Sequence, residues 1–240
     1  MIKKNWSAKP NYYLRWEEPR VVKRFSDKTT NDFFQSEVFF LEKITKSVGS
    51  VLDIGCASGR IIELFNLHND TISYTGVDIA PQSIENAKLT YPNANFIVGN
   101  ALDINLEEKF DLVNATGVFQ HEPAFAKLLE QMILWSKKFV LFDIKIGDIA
   151  ENIEDVKVSF SGSKDNPLYF IILNKDWIRE HLGSLDYISR VKVFGYKTSS
   201  PKATYPNEIG TLISAGVLLE IGNPGHTAET IFEVNLPEFS

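Results

Sequence analysis

The chain has 240 residues, of which 44% are hydrophobic and 23% charged, and its formal net charge is −6. That length supports a sizeable core, and no repeat or low-complexity tract divides it, so one domain over residues 1–240 is expected. The acid excess and the scattered lysines and arginines argue against a nucleic-acid partner, and no apolar run reaches the roughly 18 residues of a membrane span.

The single cysteine, Cys56, rules out an intrachain disulfide and suits a reducing compartment. Met1–Trp6 carries two lysines but leads into no apolar stretch of the secretory kind. A cytoplasmic protein without a membrane partner is expected.

The first 47 residues read as a cap, with Asp32–Lys46 helical. They are rich in aromatics: Trp6, Tyr12, Tyr13, Trp16, Phe25, Phe33, Phe34, Phe39 and Phe40. Val51–Ile54 is a short apolar strand that runs into Gly-Cys-Ala-Ser-Gly, and Arg60–Leu67 then has helical spacing. Tyr74–Ile79 is the next strand, followed by a helix with Pro81 in its first turn. Phe96–Val98 and Phe110–Val113 are further strands. Ala124–Trp135 is a helix with Phe125, Leu128, Leu129 and Met132 on one face, and Lys138–Phe142 is a fifth strand.

Such alternation implies right-handed crossovers and a mostly parallel sheet within residues 48–143. Residues 144–173 read as an insertion after the fifth strand, with strands at Val156–Phe160 and Tyr169–Leu173. In the last part, 174–240, Asn174 caps a helix through Leu182. Ile188–Tyr196 and Leu212–Ile221 pair antiparallel at the sheet edge, and Phe232–Val234 adds a short strand.

The chemistry gathers at the strand ends. Gly55 and Gly59 leave a strand and open a helix, so free amides and close backbone approach are available to a ligand. Asp53 sits two residues before the first of these glycines. A carboxylate there repels a pyrophosphate and attracts a cation such as an amino group. Ala57 stands where a dinucleotide fingerprint places its second glycine, and both departures disfavour a nicotinamide cofactor. Asp78 ends the next strand, where an acid accepts both hydroxyls of a ribose. Gly99-Asn100-Ala101 follows the third strand and offers a polar side chain and a backbone group to an adenine. Asp111–His121 carries the fourth strand into the same crevice. Each has a structural alternative: a turn cap for Asp53, a helix cap before Pro81 for Asp78, a turn for Asn100.

VLDIGCASGR (Val51–Arg60), YTGVDIA (Tyr74–Ala80), FIVGNALD (Phe96–Asp103) and FDLVNATGVFQH (Phe110–His121) together resemble the class I S-adenosylmethionine-dependent methyltransferases. The likeness covers roughly Val51–Phe142. It implies a Rossmann-like, doubly wound α/β fold: a seven-stranded sheet with an antiparallel last strand. It further implies S-adenosyl-L-methionine as cofactor. Asp53, Gly55 and Gly59 would hold the methionyl end, Asp78 the ribose, and Asn100 with Ala101 the adenine. Cys56, Ala57 and Ile79 would be further contacts, and Asn114, Ala115, Thr116 and Gly117 would line the sulfonium end. Asn100 departs from the family, which usually has an acid there.

Transfer from a sulfonium needs alignment above all, and a base helps a hydroxyl acceptor. His121, just past the fourth strand, is the candidate base, and capping or packing is its structural alternative. His68, His181 and His226 are dispersed. No cluster has zinc spacing, Asp143 and Asp148 have no clear paired ligand set, and no metal is expected.

Asn-Ala-Thr-Gly at 114–117 differs from the Asn/Asp-Pro-Pro-aromatic pattern of enzymes that methylate base amines. The lone cysteine argues against arsenic methylation. The expected partner is a small-molecule acceptor with a hydroxyl or amine, of the sugar or natural-product kind, bound by the aromatic N-terminus and residues 144–173. Tyr12, Tyr13, Arg15 and Trp16 either close over the cofactor or serve as core or oligomer contacts. The rival function is a regulatory module that binds the cofactor without transfer. Nothing in the sequence specifies an oligomeric state.

Overall fold

The computed structural model describes residues 11–27, 32–67, 69, 71–182, 185, 187–198, 202–222 and 230–239. Three short helices come first: α1 (Asn11–Leu14), α2 (Pro19–Ser26) and α3 (Gln35–Ile44), with a 3-10 turn at Arg15–Glu17. The alternating part follows as β1 (Ser50–Ile54), α4 (Ile62–Asn66), β2 (Ser73–Asp78), α5 (Pro81–Thr90), β3 (Asn95–Val98), β4 (Phe110–Ala115), α6 (Phe125–Trp135) and β5 (Ser136–Gly147). Then come β6 (Phe160–Ser163), β7 (Asn166–Tyr169), β8 (Leu173–Asn174), α7 (Trp177–Leu182), β9 (Ile188–Lys197), β10 (Ala203–Thr204), β11 (Ile213–Ile221) and β12 (Ile231–Asn235).

The main sheet runs β12-β9-β11-β5-β4-β1-β2-β3. β1 pairs in parallel with β2 and β4, and β11 lies antiparallel to both β5 and β9. The path from β3 to β9 is the expected seven-stranded doubly wound order with its antiparallel last strand. β12 adds an eighth strand, parallel to β9, and the two-residue β8 pairs with the end of β5.

Both faces are covered. α6 and α7 pack Leu128, Met132, Trp135, Trp177 and Ile178 on one side. α3, α4 and α5 pack Phe40, Leu41, Phe65 and Ile84 on the other. Strands buried on both faces read as continuous apolar runs, which is why β1, β4 and β5 stand out in the sequence.

The order reverses between β1 and β4. In open α/β sheets the crevice outside the carboxyl ends of the strands at such a switch is the ligand site. β5 matters most beyond it. β4 pairs with β5 only as far as Ala115 with Phe142, yet β5 runs on to Gly147 beside β11. It thus forms a wall beyond the crevice. The sequence placed the end of this strand at Phe142 and began the insertion at Ile144. The antiparallel pairing of Ile146 with Ile213 carries the strand further.

The two strands expected inside residues 144–173 also shift. Asp155 accepts backbone N–H bonds from Lys157, Val158 and Ser159, so Val156–Val158 turns instead of extending. The hairpin forms at β6 and β7, joined by β10 in a separate three-stranded sheet. Phe170, Ile171 and Ile172 donate to three different carbonyls, those of Ser159, Gln120 and Ile153, so they build no ladder. The N-terminal helix expected from Asp32 starts at Gln35, because the Glu37 carboxylate accepts the Phe34 N–H. The helix expected from an Asn174 cap starts at Trp177. The Asn174 side chain accepts the Asp176 N–H, and the Asp176 carbonyl accepts the first helical amides. His68, His226 and Trp6 lie outside the described residues.

Among the described residues no helix is long and apolar enough to cross a membrane, and no group of three or more His, Cys, Asp or Glu side chains converges. Asp148 pairs with Lys175 on the surface, away from Asp143.

Candidate active site

The loop after β1 is shaped by three left-handed residues, Gly55 (φ 71°), Ala57 (φ 47°) and Gly59 (φ 80°). A Cβ on Gly55 would stand 2.6 Å from Val118, so that position needs glycine for space as well as for φ. The Gly55 and Cys56 amides donate to the Val77 carbonyl, which ties the loop to β2. Asp78 ends β2 and holds the loop a second way. Its Oδ2 accepts the Ala57 N–H and its Oδ1 the Ala80 N–H, each at 2.8 Å. Burial raises the Asp78 carboxyl above its ordinary value, and these backbone donors offset part of the rise.

Asp53 lies buried on β1. Its Oδ1 accepts from Asn114 Nδ2 at 2.8 Å and its Oδ2 from the Tyr74 hydroxyl. Burial pushes it up to about 7, against the pull of both donors. A chain of bonds continues from there. Asn114 Nδ2 also reaches Thr116 Oγ1 at 3.2 Å, Thr116 donates to Glu37 at 2.7 Å, and Arg60 stands 3.6 Å from the same carboxylate. Burial raises Glu37 too, while Arg60 and the hydroxyl of Thr116 lower it.

Asn100 spends its side-chain oxygen on the Leu102 N–H and points its amide at the Tyr13 hydroxyl, 3.4 Å away. Tyr13 in turn donates to Glu122 at 2.7 Å. Burial holds the Tyr13 phenol well above its ordinary value, so it remains a donor. Farther along, Gly117 donates its N–H to the Asp143 carboxylate, whose other oxygen takes Lys145 Nζ at 3.0 Å.

His121 packs edge-on against Trp16, and its Nδ1 lies 2.6 Å from the Tyr169 carbonyl. A carbonyl only accepts, so Nδ1 carries the hydrogen. Burial drives the ring down to about 4, despite that bond. The neutral ring therefore leaves Nε2 as a bare acceptor.

All of this surrounds one cavity of about 770 Å³ at the switch point. Asp53, Gly55, Cys56, Ala57, Asp78, Ile79, Asn100, Ala101, Asn114, Thr116, Gly117 and His121 all line it. Gly59 stands behind the loop instead, facing Tyr91 and Phe96, and Ala115 is sealed in the core. Tyr13, Arg15 and Trp16 line the cavity, whereas Tyr12 packs on Tyr13 and Tyr169. Ser26 bonds Ser58 on the loop, and Arg15 donates to the Asn166 carbonyl on the hairpin. The segment from α1 to α2 therefore spans the mouth from one rim to the other.

Glu37, Arg60 and Lys145 are lining residues that sequence reasoning did not single out. Buried polar atoms normally have partners. Here the Asn114 Oδ1 acceptor and the Arg60 Nη1 donor have none. An unmet acceptor and an unmet donor on one wall suit the two charged ends of an amino acid.

A family model described as a methyltransferase domain matches residues 45–177. The chain is 28% identical over 185 residues to a malonyl-[acyl-carrier protein] O-methyltransferase of Ilyobacter polytropus, covering 71% of this chain and 59% of that protein. In general the chain spans about half the length of the curated relatives it matches. Among solved structures, the magnesium protoporphyrin IX methyltransferase of Synechocystis PCC 6803 with bound SAM superposes with a TM-score of 0.55 at 12% identity, covering 91% of this chain and all of that one. The O-methyltransferase of a trans-AT PKS multienzyme from Brevibacillus brevis, in complex with S-adenosyl-L-homocysteine, gives 0.57 at 14% identity, covering 84% of each chain. These likenesses share the fold, and the family match covers more than half of the sequence: the chain belongs to the methyltransferase-domain family.

Proposed function

We propose that the protein is an S-adenosylmethionine-dependent methyltransferase acting on an oxygen or nitrogen of a small-molecule acceptor. The observation that carries this reading is the arrangement of one cavity with Asp53 and Asp78 at the strand ends, Glu37 in the first turn of α3, and a neutral histidine across from them. Carboxylates there suit a cationic cofactor and oppose a pyrophosphate.

The unmet Asn114 Oδ1, with Asp53 beside it, would hold the amino group of the methionyl end, and the unmet Arg60 Nη1 its carboxylate. Asp78 would take the ribose hydroxyls with the lone pairs its two backbone bonds leave open. Asn100 and Ala101 would meet the adenine, with Cys56, Ala57 and Ile79 as walls. Gly55 gives the backbone close approach, while Gly59 acts only by shaping the loop. Thr116 and Gly117 would face the sulfonium, held in place by Glu37 and Asp143.

When bound, the cofactor supplies a methyl group on a good leaving group. The protein's share is alignment, which is worth about 7–11 kcal/mol when reacting atoms are held in line. The acceptor's lone pair forms the new bond to the methyl carbon while the carbon–sulfur bond breaks. His121 Nε2 takes the acceptor's proton. A weak base suffices for that, because a hydroxyl becomes strongly acidic once its oxygen carries the methyl. The cavity volume falls within the range of small-molecule pockets, about 300–1,000 Å³, and the aromatic segment over its mouth keeps water out.

Calorimetric titration with S-adenosylmethionine, S-adenosylhomocysteine and NAD tests the reading, with Asp78→Ala as control. Binding of both adenosyl ligands, lost in the variant, is expected. Preference for NAD would overturn the cofactor. Adenosyl binding without turnover on any acceptor would point to a regulatory module.

A further inference from the structure

The cavity wall carries acids and bases in separate groups, apart from Arg60, which pairs with Glu37. Asp53, Asp78 and Glu37 lie where the methionyl and ribose groups would go. The far end, built by the N-terminal segment, β5 and the hairpin, presents Arg15, Arg24, Lys145 and Lys202. The acids near that end are committed. Asp143 accepts from Gly117 and Lys145, and Glu122 accepts from Tyr13 and the Ala124 N–H.

Lys145 is the informative one. Its side chain is only 7% exposed, and burying an ammonium is costly unless it is well paired. It has three donors, and among the described residues its one hydrogen-bond partner is Asp143, at 3.0 Å. That partner already shares its charge with the Gly117 N–H. Lys145 therefore faces the cavity with donors to spare, one residue link from the sulfonium-facing Gly117. Beside it, Gln120 gives its amide N–H to the Gly117 carbonyl and leaves a buried Oε1 with no donor. The surrounding wall is aromatic, with Trp16, Phe34 and Phe170.

We propose that the acceptor is a carboxylic acid with an apolar or aromatic body, its carboxylate seated on Lys145 with help from Arg24 and its reacting hydroxyl or amine turned toward His121 Nε2; an amine's second N–H would donate to Gln120. This inference rests on the methyltransferase reading and narrows its acceptor. The anionic group serves as a handle. The methyl goes to the neutral hydroxyl or amine, whose proton passes to His121. An uncharged acceptor would leave the Lys145 donors and their desolvation unmet, so the site discriminates by charge as well as by shape.

The test uses the full chain loaded with S-adenosylhomocysteine and two matched pairs of probes: para-hydroxybenzoate with para-hydroxybenzamide, and phenyllactate with phenyllactamide. Calorimetry should show each acid binding at least about tenfold tighter than its amide, the gain expected for a charge-assisted pair. The double variant D143N/K145M removes the ammonium without leaving a buried unpaired acid, and it should remove most of the preference. Arg24 lies on the exposed face of α2, so R24Q tests the handle without touching the sheet and should lose part of the preference. Acids that bind no tighter than amides, no acid binding at millimolar concentration, or an undiminished preference in D143N/K145M would each overturn the proposal. If D143N/K145M fails to fold, an R24Q protein with undiminished preference overturns it instead. A wild-type chain that cannot be loaded with S-adenosylhomocysteine at all would sink the methyltransferase reading itself, a failure visible before any acid is added.

Discussion

Asn114 on β4 donates its side-chain amide to Asp53 on β1 at 2.8 Å, across the seam where the sheet reverses its order. The bond joins the strand that opens the glycine loop to the strand that leads toward His121. Burial holds Asp53 at about 7, so near neutral pH the free protein keeps this carboxyl partly protonated. A cationic amino group favours the ionised form, and binding below that pH must release a proton. Affinity for S-adenosylhomocysteine should therefore be level just above pH 7 and fall as pH drops toward 5, by up to about tenfold per unit. Asp53→Asn should bind weakly with no such slope. A flat wild-type profile from calorimetry would remove Asp53 from the amino-group site.

Asp78 has a structural duty besides any ligand. Asp78→Ala strips the Ala57 and Ala80 amides of their acceptor, and bonds to charged groups are worth about 1.5–3 kcal/mol. The variant should lose stability of that order in urea as well as ligand affinity. Ala57→Gly is the contrasting change. A left-handed alanine costs about 1–2 kcal/mol, while glycine's extra freedom in the unfolded chain costs about 0.5–1 kcal/mol. The relief wins or balances, so Ala57→Gly should be neutral or stabilising by up to about 1.5 kcal/mol. A clear loss would mean that the alanine methyl has a packing role.

His121 is held neutral, with its ring lowered from 6.5 to about 4 by burial. As base it should need no deprotonation in the working range, so kcat/KM should show no acid limb from this residue above pH 5. His121→Ala should cut kcat about 10²–10⁴-fold and leave S-adenosylhomocysteine affinity nearly unchanged. The same shift has a stability signature. The unfolded chain takes up the proton first as pH falls, so the folded state loses stability from pH 6.5 down to 4. His121→Phe should lack that part of the acid loss in urea melts. Near-normal turnover in His121→Ala would leave the ring a packing role only.

Gly162 on the hairpin, at φ 90°, lets the Arg15 guanidinium lie against its backbone. A Cβ there would come within 2.4 Å of it. Gly162→Ala should displace Arg15, break its bond to the Asn166 carbonyl and loosen the segment over the cavity. Limited proteolysis should then cut within residues 11–27 faster, and acceptor KM should rise. Arg15→Ala should do the same without backbone strain. Unchanged cleavage in both variants would mean that this contact does not hold the segment down.

The lining residues at the strand ends were legible because they are polar breaks at the ends of apolar runs: Asp53 two residues before a glycine, Asp78 three before a proline, Asn100 in a turn. Gly59 does not line the cavity; its φ of 80° and the Tyr91 and Phe96 rings behind it tie that glycine to the shape of the loop. The rest of the cavity was less legible. β5 gives no sign of where its pairing with β4 stops while its antiparallel pairing with β11 continues, so Lys145 was read as part of an insertion. Glu37 left a signal that went unused. It lies on the same helical face as Phe40, Leu41 and Ile44, and an acid on an apolar stripe has to meet a partner. Arg60 stood inside the loop motif, but its pairing with Glu37 depends on a helix far away in sequence.

Tyr13 and Trp16 sit on one short stretch of chain, yet the first touches Asn100 and Glu122 while the second covers His121. Spent cofactor and finished product would thus leave through one gate, and fresh cofactor would enter by it. Under the proposed function, every exchange of ligands would require that gate to open. Weakening the Tyr13–Glu122 latch would then ease the passage of ligands and admit water in the same stroke.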